Sequence, residues 1–377
     1  MKFAIITHVQ HIKGDNQYFG YAPYIREMNI WLKYVDEVII VAPLVDRELN
    51  PIHEKYNHLH LNFRQVEEFD ITSIVNVFKT MASLPKIVTQ VYKAMSQADH
   101  IHLRCPGNMG LIGAMVQILF PKKPKTAKYA GNWDPNAKQP FTYKLQRWIL
   151  SNTFLTKNMQ VLVYGDWENQ TKNIKPFFTA TYSKSDKKVI EPRTLEGCID
   201  FLFVGTLSKG KQPLLAIQLV EKLYQQGKKV RLNLYGDGIL RPTLETYIEE
   251  NNLQDIVFLR GNQSKETVLK AYQTSHFLIL PSKSEGWPKV VAEAMFWACV
   301  PIVSQVSCVP YMLGHGERGI QLKEQLETDV NQVMSALNNE LLYQKMASEG
   351  QNWSRQFTTD KFEIEIKKLL QNRFNHY

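Results

Sequence analysis

Cysteine is sparse in this chain of 377 residues. There are four, Cys105, Cys198, Cys299 and Cys308, none in a Cys-x-x-Cys pair and none with histidines at zinc spacing. That excludes a disulfide framework and a zinc ribbon, and leaves reduced, mostly buried thiols in a cytoplasmic protein as the expectation. Long apolar runs are missing too. The longest, LIGAMVQILF from Leu111 to Phe120, is far short of the ~20 residues a membrane-spanning helix needs. The opening MKFAIITHVQ is apolar too briefly for a secretory leader and is expected to form a first strand. There is no low-complexity tract, no Asp-x-Asp pair to hold a metal-bound substrate and no recognised nucleic-acid reader motif. What remains is an ordinary globular composition, 44% hydrophobic and 21% charged, long enough for two domains.

Acidic residues are scarce in one half only. Residues 1–190 hold 24 Lys+Arg against 15 Asp+Glu, whereas residues 191–377 hold 21 of each, so the net charge of +9 sits in the first half. Its densest run is PKKPKTAK, Pro121 to Lys128. A basic half beside a neutral one points to an anionic partner such as a lipid headgroup surface, or else to a solvated basic face. The protein is therefore expected in the cytoplasm, peripheral on the inner membrane face, with no nucleic acid as partner.

Short apolar runs alternate with helical patterns. In the first half, strands are expected at Phe3–Thr7, Glu37–Val41, His58–Leu61, His100–Leu103, Lys125–Ala130 and Gln160–Tyr164. Helices are expected at Tyr24–Tyr34, Ile71–Met95, Gly107–Phe120 and Phe141–Thr156. In the second half strands are expected at Phe201–Val204, Val230–Tyr235, Ile256–Leu259, Phe277–Leu280 and Pro301–Ser304. The helices between them are Pro213–Gln226, Ile239–Asn251, Lys265–Thr274 and Pro288–Ala298, and a helical tail follows. This alternation predicts two doubly wound, Rossmann-like α/β domains facing across a cleft. The join is expected in polar SKSDKKVIEPRTLEGC, Ser183 to Cys198, which gives domains of 1–190 and 191–355.

In open α/β sheets ligands bind beyond the carboxyl ends of the strands. Three loops of the second domain fall there. GTLSKGKQP, Gly205 to Pro213, offers Lys209 and Lys211 to a phosphate, although Gln212 stands where a Walker loop needs Ser or Thr. YGDGILR, Tyr235 to Arg241, begins a G-x-G, but Arg241 replaces the third glycine of a dinucleotide fingerprint. It is expected to be a turn with Asp237 as a helix cap. SEGWPKVVAEAM places Glu285 in a loop and Glu293 eight residues on, inside a helix with Pro288 in its first turn. The backbone N–H groups of Lys289, Val290 and Val291 are then expected to be unpaired. Ionised carboxylates only accept, so they suit sugar hydroxyls, and a diphosphate must rest on lysines and amides. One glutamate for each sugar of a sugar nucleotide accounts for the pair.

SEGWPKVVAEAM resembles the Glu-x7-Glu motif of retaining glycosyltransferases of family 4, which have the GT-B fold. The resemblance extends through FLFVGTLSKGKQP, LNLYGDGILRPTLE, IVFLRGNQSKE, HFLILPSKSEGWPKVVAEAM and CVPIVSQVSCVPYML, in order. It implies that Glu285 contacts donor-sugar hydroxyls, Glu293 the ribose and Lys211 the diphosphate. Gly205, Thr206 and Lys209 would belong to the phosphate loop, and Gly286, Trp287, Pro288 and Lys289 to the sugar–phosphate loop. Backbone near Arg260 and Gly261 would flank the nucleobase. Three departures stand out. Thr206 replaces a frequent Arg, Ala298 replaces a usual Gly, and KYAGNWDP has no His where many members carry one. Asp134 is expected to serve there instead. In HIKGDNQYFGYAP, the loop expected after the first strand, Gly14 and Gly20 would let the backbone approach the donor phosphate or the acceptor. His102, Arg104 and Asn108 could line the cleft, although His100 and His102 read more simply as satisfied histidines on one strand face.

The expected function is transfer of a sugar from a UDP- or GDP-sugar to a glycan or lipid-linked acceptor, without a metal, in bacterial surface polysaccharide assembly. The first domain would take the acceptor and the second the donor. A final helix, about 356–377, would pack back on the first domain. A sugar-nucleotide epimerase of the same fold, or a non-catalytic sugar-nucleotide-binding subunit, would share these features.

Overall fold

The computed structural model describes residues 1–50, 52–68, 74–190 and 193–371, with backbone only for 74–82. The expected helix residues 71–73, linker residues 191–192 and tail 372–377 lie outside the described residues. The chain divides into two compact units, Met1–Phe178 with Phe362–Tyr377, and Thr179–Lys361. The division falls earlier than the polar run suggested, because Thr179–Tyr182 are already built into the second unit. Thr181 Oγ1 donates to Glu293, and Tyr182 packs its ring against Phe296 and Trp297.

The first unit runs β1 (Lys2–Ile6), β2 (His11–Gly14), β3 (Gln17–Tyr21), α1 (Ala22–Leu32), β4 (Glu37–Pro43), β5 (His53–Lys55), β6 (Leu61–Val66), α2 (Ile74–Gln97), β7 (His100–Cys105), α3 (Asn108–Val116), β8 (Lys125–Tyr129), α4 (Phe141–Ser151), β9 (Met159–Tyr164) and β10 (Ile174–Phe177). Among the described residues it holds a seven-stranded parallel sheet, β10-β9-β8-β7-β1-β4-β6. Helices cover the faces, so the central strands are buried throughout, as parallel sheets require.

Two expectations fail in this unit. The stretch after β1 is not a loop. It is an antiparallel hairpin, β2–β3, extended by β5, with Asp15 and Asn16 at left-handed φ of 47° and 57°. That is the two-residue turn matching strand twist. And the strand expected at His58–Leu61 is β6, three residues later.

Of the basic run Pro121–Lys128 only Pro121 and Lys122 are exposed. Lys123 Nζ donates to the carbonyls of Met95, Ser96 and Ala98 at 2.9, 2.6 and 2.6 Å, capping the carboxyl end of α2. Lys125 and Lys128 lie on β8 and are fully buried. Lys125 donates to Phe120 O at 2.8 Å, and burial pulls its ammonium down to about 8. Lys128 Nζ meets Glu27 Oε1 at 2.9 Å, and Arg104 Nη1 meets the same oxygen at 3.2 Å. Ions this deep persist only when paired. Arg104 is thus committed to Glu27, while His100 and His102 share the Thr126 hydroxyl at 3.0 and 2.8 Å.

The second unit runs β11 (Ile199–Val204), α5 (Pro213–Gln225), β12 (Val230–Tyr235), α6 (Arg241–Glu250), β13 (Val257–Gly261), α7 (Lys265–Thr274), β14 (Phe277–Leu280), α8 (Lys289–Phe296), β15 (Val300–Ser304), α9 (Val309–Met312), β16 (Ile320–Leu322), α10 (Leu326–Leu337) and α11 (Glu340–Ser354). Among the described residues its sheet is six-stranded and parallel, β13-β12-β11-β14-β15-β16. The order reverses at β11 and β14, so the loops after these adjacent strands leave the sheet at its switch point. The last helix, α12 (Thr359–Gln371), starts in the second unit and enters the first at Phe362. There Phe362 packs against Phe177 and Phe178, with Lys128 Nζ 4.8 Å from its ring centroid. Among the described residues no helix is long and apolar enough to cross a membrane.

Candidate active site

β11 and β14 are apolar on both faces, FLFV and FLIL, and deliver their following loops side by side. The first loop, Gly205–Gln212, ends with Gln212 at a left-handed φ of 50° and Pro213 opening α5. The second, after β14, joins it through Lys283 N–H to Gly210 O at 2.9 Å. Across this junction Lys211 Nζ meets Glu285 Oε1 at 2.5 Å. The carboxylate side chain is 9% exposed and the lysine 31%. Two residues 74 apart in sequence thus form one charged pair, as the paired loops imply. Thr206 and Lys209 stand exposed on the first loop.

The glycines of YGDG serve packing. A Cβ on Gly236 would lie 2.0 Å from Gly205 O, and one on Gly238 2.5 Å from Leu207 O. Leu207 N–H donates to Asp237 O at 3.0 Å, and Leu207 O accepts from Leu240 N–H at 3.0 Å. Asp237 does not cap α6, since its Oδ1 accepts from Gly238 N–H and the cap position is Leu240. So the second glycine-rich turn braces the first from behind.

Pro288 is the cap of α8 rather than its first helical residue, at φ −71° and ψ 93°. The helix starts one residue late because Pro288 O accepts from Val291 N–H at 3.0 Å. Val291 is therefore not among the unpaired amides. Gly286 O accepts from Ser307 Oγ at 3.2 Å and from Cys308 Sγ at 3.0 Å. The Trp287 ring is buried against Trp353 and Phe357. Its indole fastens the loop from one side while Ser307 and Cys308 hold its backbone from the other. Burial pushes the Cys308 thiol up to about 12, so it remains a neutral donor.

Glu293 sits one turn into α8. Its Oε1 accepts from Thr181 Oγ1 at 2.7 Å and its Oε2 from Tyr272 OH at 3.0 Å. Burial and this carboxylate raise the Tyr272 phenol well above its ordinary range, so it stays a donor. Lys289 and Glu293 line one small cavity with Thr181, Tyr182 and Trp287. Arg260 and Gly261 end β13. Arg260 Nε donates to Asn233 Oδ1 at 2.8 Å, Arg260 O accepts from Gln263, and Gly261 O accepts from Gly236 N–H at 2.9 Å. Both carbonyls are already engaged.

The first-unit candidates have local tasks. Asp134 Oδ1 accepts from Asn136 N–H at 2.8 Å, an Asx turn, and Asp134 O accepts from Arg147 at 2.8 Å. Gly14 ends β2, where a Cβ would meet the Leu49 side chain at 3.3 Å. Ser307, Cys308, Thr181 and Tyr272 were not foreseen. Ser307 holds a left-handed φ of 53°, a backbone state a sequence does not display. Thr181 lies in a stretch expected to belong to the other domain.

Residues 186–353, all within the second unit, match the family model of glycosyl transferases group 1. An uncharacterized glycosyltransferase of Methanocaldococcus jannaschii is 25% identical over 202 residues, 53% of this chain and 55% of that protein. The amylovoran biosynthesis glycosyltransferase AmsK of Erwinia amylovora is 29% identical over 124 residues, 31% of this chain and 30% of that one. The chain thus spans about half the length of the first relative and less of the second. The solved structure of Anabaena HepE in complex with UDP and glucose superposes with a TM-score of 0.68 at 14% identity, covering 98% of this chain and 99% of that one. At that identity the likeness concerns the fold. The chain has the GT-B fold, and its residues 186–353 are similar to glycosyl transferases group 1.

Proposed function

We propose that this chain is a retaining glycosyltransferase that moves a sugar from a nucleotide-sugar donor to a glycan or lipid-linked acceptor in surface polysaccharide assembly. The observation that carries the reading is the Lys211–Glu285 pair, formed across two adjacent strand-end loops of the group 1 domain. A cation and a carboxylate at one spot match the two halves of a sugar diphosphate. The anion needs the ammonium, and the sugar hydroxyls need an acceptor.

In the absence of donor each side chain holds the other in place. An arriving diphosphate takes the Lys211 ammonium and leaves Glu285 to accept from the sugar. Charge then develops on the leaving diphosphate beside Lys211, which favours the transition state over the ground state. Lys209 and Thr206, exposed on the same loop, add a cation and a hydroxyl for the phosphates. Glu293, seated by Thr181 and Tyr272, retains lone pairs for ribose hydroxyls. In this reading no metal takes part. HepE, which shares the fold, was solved with UDP and glucose, and AmsK belongs to amylovoran biosynthesis; both favour a UDP-sugar and a polysaccharide setting. The acceptor is assigned to the first unit.

A thermal-shift panel of UDP-, GDP-, ADP- and CMP-sugars, with EDTA present, tests this on wild type and Lys211→Ala. A donor at about 100 times its dissociation constant stabilises by roughly 2.7 kcal/mol. One nucleotide series should shift the wild type and not the variant. No shift with any nucleotide would overturn the reading.

A further inference from the structure

With Lys125 and Lys128 buried and Lys123 tied to the end of α2, the rest of the first unit's excess charge must be sought elsewhere. From His100 to Gly165, apart from these lysines and Arg104, the sequence has five more Lys+Arg and one carboxylate, Asp134, which is tied into its own turn. The same segment carries large apolar side chains in water. Helix α4 buries Gln146, Ile149 and Leu150, and turns a stripe of Phe141, Lys144 and Trp148 outward at i, i+3 and i+7. Phe141 is 77% exposed, Trp148 60%, and Phe154, just past the helix, 75%. Gln117 Nε2 donates to Leu155 O at 3.1 Å, which ties the turn after α4 to the segment that carries the exposed Leu119. Lys157 lays its ammonium 5.0 Å from the Phe154 ring centroid, an aliphatic stem along an apolar ring.

Scattered single apolar residues on a surface need no explanation, but bulky aromatics along one helix stripe and its adjoining turn do. The charged side chains of this helix and turn, Lys144, Arg147 and Lys157, are all cationic, so charge complementarity favours an anionic surface. Aromatic side chains that bridge water and hydrocarbon, flanked by lysines with long stems, are what an anionic bilayer surface selects.

We propose that α4 and the turn after it form a membrane-docking face, with Trp148, Phe154 and Phe141 entering the headgroup region of an anionic bilayer and Lys144 and Lys157 meeting its phosphates. The face lies wholly in the first unit and does not depend on the donor chemistry, so it stands or falls separately from the transfer reaction.

Flotation of the full chain with vesicles of phosphatidylcholine alone, or mixed with phosphatidylglycerol, at low and physiological salt tests it. Binding is expected only with phosphatidylglycerol, and weaker at higher salt. Trp148→Ala and Phe154→Ala should each lower partitioning by ~10-fold, from the apolar area no longer buried. Lys144→Gln with Lys157→Gln should flatten the salt dependence. Brominated lipid should quench wild-type tryptophan emission, and Trp148→Phe should remove that quenching, a readout in a fully folded protein. Failure to float with phosphatidylglycerol at low salt overturns the proposal. So does flotation or quenching indifferent to Trp148, or a Trp148-dependent dimer in solution without lipid binding, which would assign the face to a second copy.

Discussion

In the first unit Lys128 and Glu27 lie inside the fold, closed over by α1, β8 and the return of α12. In the second, Lys211 and Glu285 meet at a loop junction where the lysine keeps 31% of its side-chain surface in water. Both are lysine–glutamate pairs in direct contact. The first costs desolvation and has nowhere to go, so it serves architecture. The second can exchange partners, because water or a ligand reaches the ammonium. Net charge alone did not distinguish them, and the densest basic run in the chain belongs to the first kind.

Acid should widen this contrast most. Burial pulls His11 down to about 4 and His100 and His102 down to about 3, all in the first unit, while the second unit buries His276, also lowered. A histidine held neutral in the fold binds fewer protons than the unfolded chain below about pH 6.5, so stability falls as pH drops from there toward the folded values. Between pH 7 and 5 the loss is roughly 2 kcal/mol for each of the three. Urea unfolding at both pH values, followed by hydrogen exchange resolved by unit, should place the loss in the first. An equal loss in both units would break the comparison.

Next is Glu27→Ala, which strands Lys128 and Arg104 and should destabilise the first unit by about 3–5 kcal/mol. Donor binding by the second unit should survive at temperatures where the variant stays folded, as calorimetry with a nucleotide would check. Lys211→Ala is the mirror image. It should leave the melting temperature without ligand nearly unchanged and reduce turnover by about 100- to 1,000-fold, judged by loss of a leaving-group donor. A large drop in stability with intact turnover would make that pair architectural too. The smallest effect is expected for Ser307→Gly. Glycine relieves a left-handed φ of 53° while the bond to Gly286 O, worth about 0.5–1.5 kcal/mol, is lost. Stability should hardly move, but KM for the donor should rise severalfold as the Glu285 loop loosens; an unchanged KM would remove Ser307 from the site.

What the sequence disclosed follows the same division. FLFV, FLIL and CVPIV are continuous apolar runs and LNLY is broken only by Asn233; Gly205, Pro281, Ser304 and Gly236 follow them, so the second sheet and its strand-end loops were readable. The Glu285 and Glu293 spacing was readable with them. KTAKY was readable as a strand, but its lysines looked like a solvated face. Only the carbonyl of Phe120, which Lys125 reaches, and the carboxylate of Glu27, remote in sequence, which meets Lys128, tell which way they point. The β2–β3 hairpin was hidden by polar GDNQ, which reads as loop until the left-handed φ of Asp15 and Asn16 is known. Thr181 could not be assigned to Glu293, because nothing local says that the chain has already changed units at Thr179.

That change of unit happens twice, at Thr179 and again within α12 at Phe362. During synthesis the second unit is therefore complete, as one unbroken segment, while the first is still waiting for Phe362 and Ile366 to emerge. The earlier-made half is finished last. A stop codon between Lys361 and Phe362 would spare every one of residues 186–353 and still leave the ring over Lys128 missing. Such a product would carry its presumed donor-binding residues intact on a chain whose amino-terminal half had never closed.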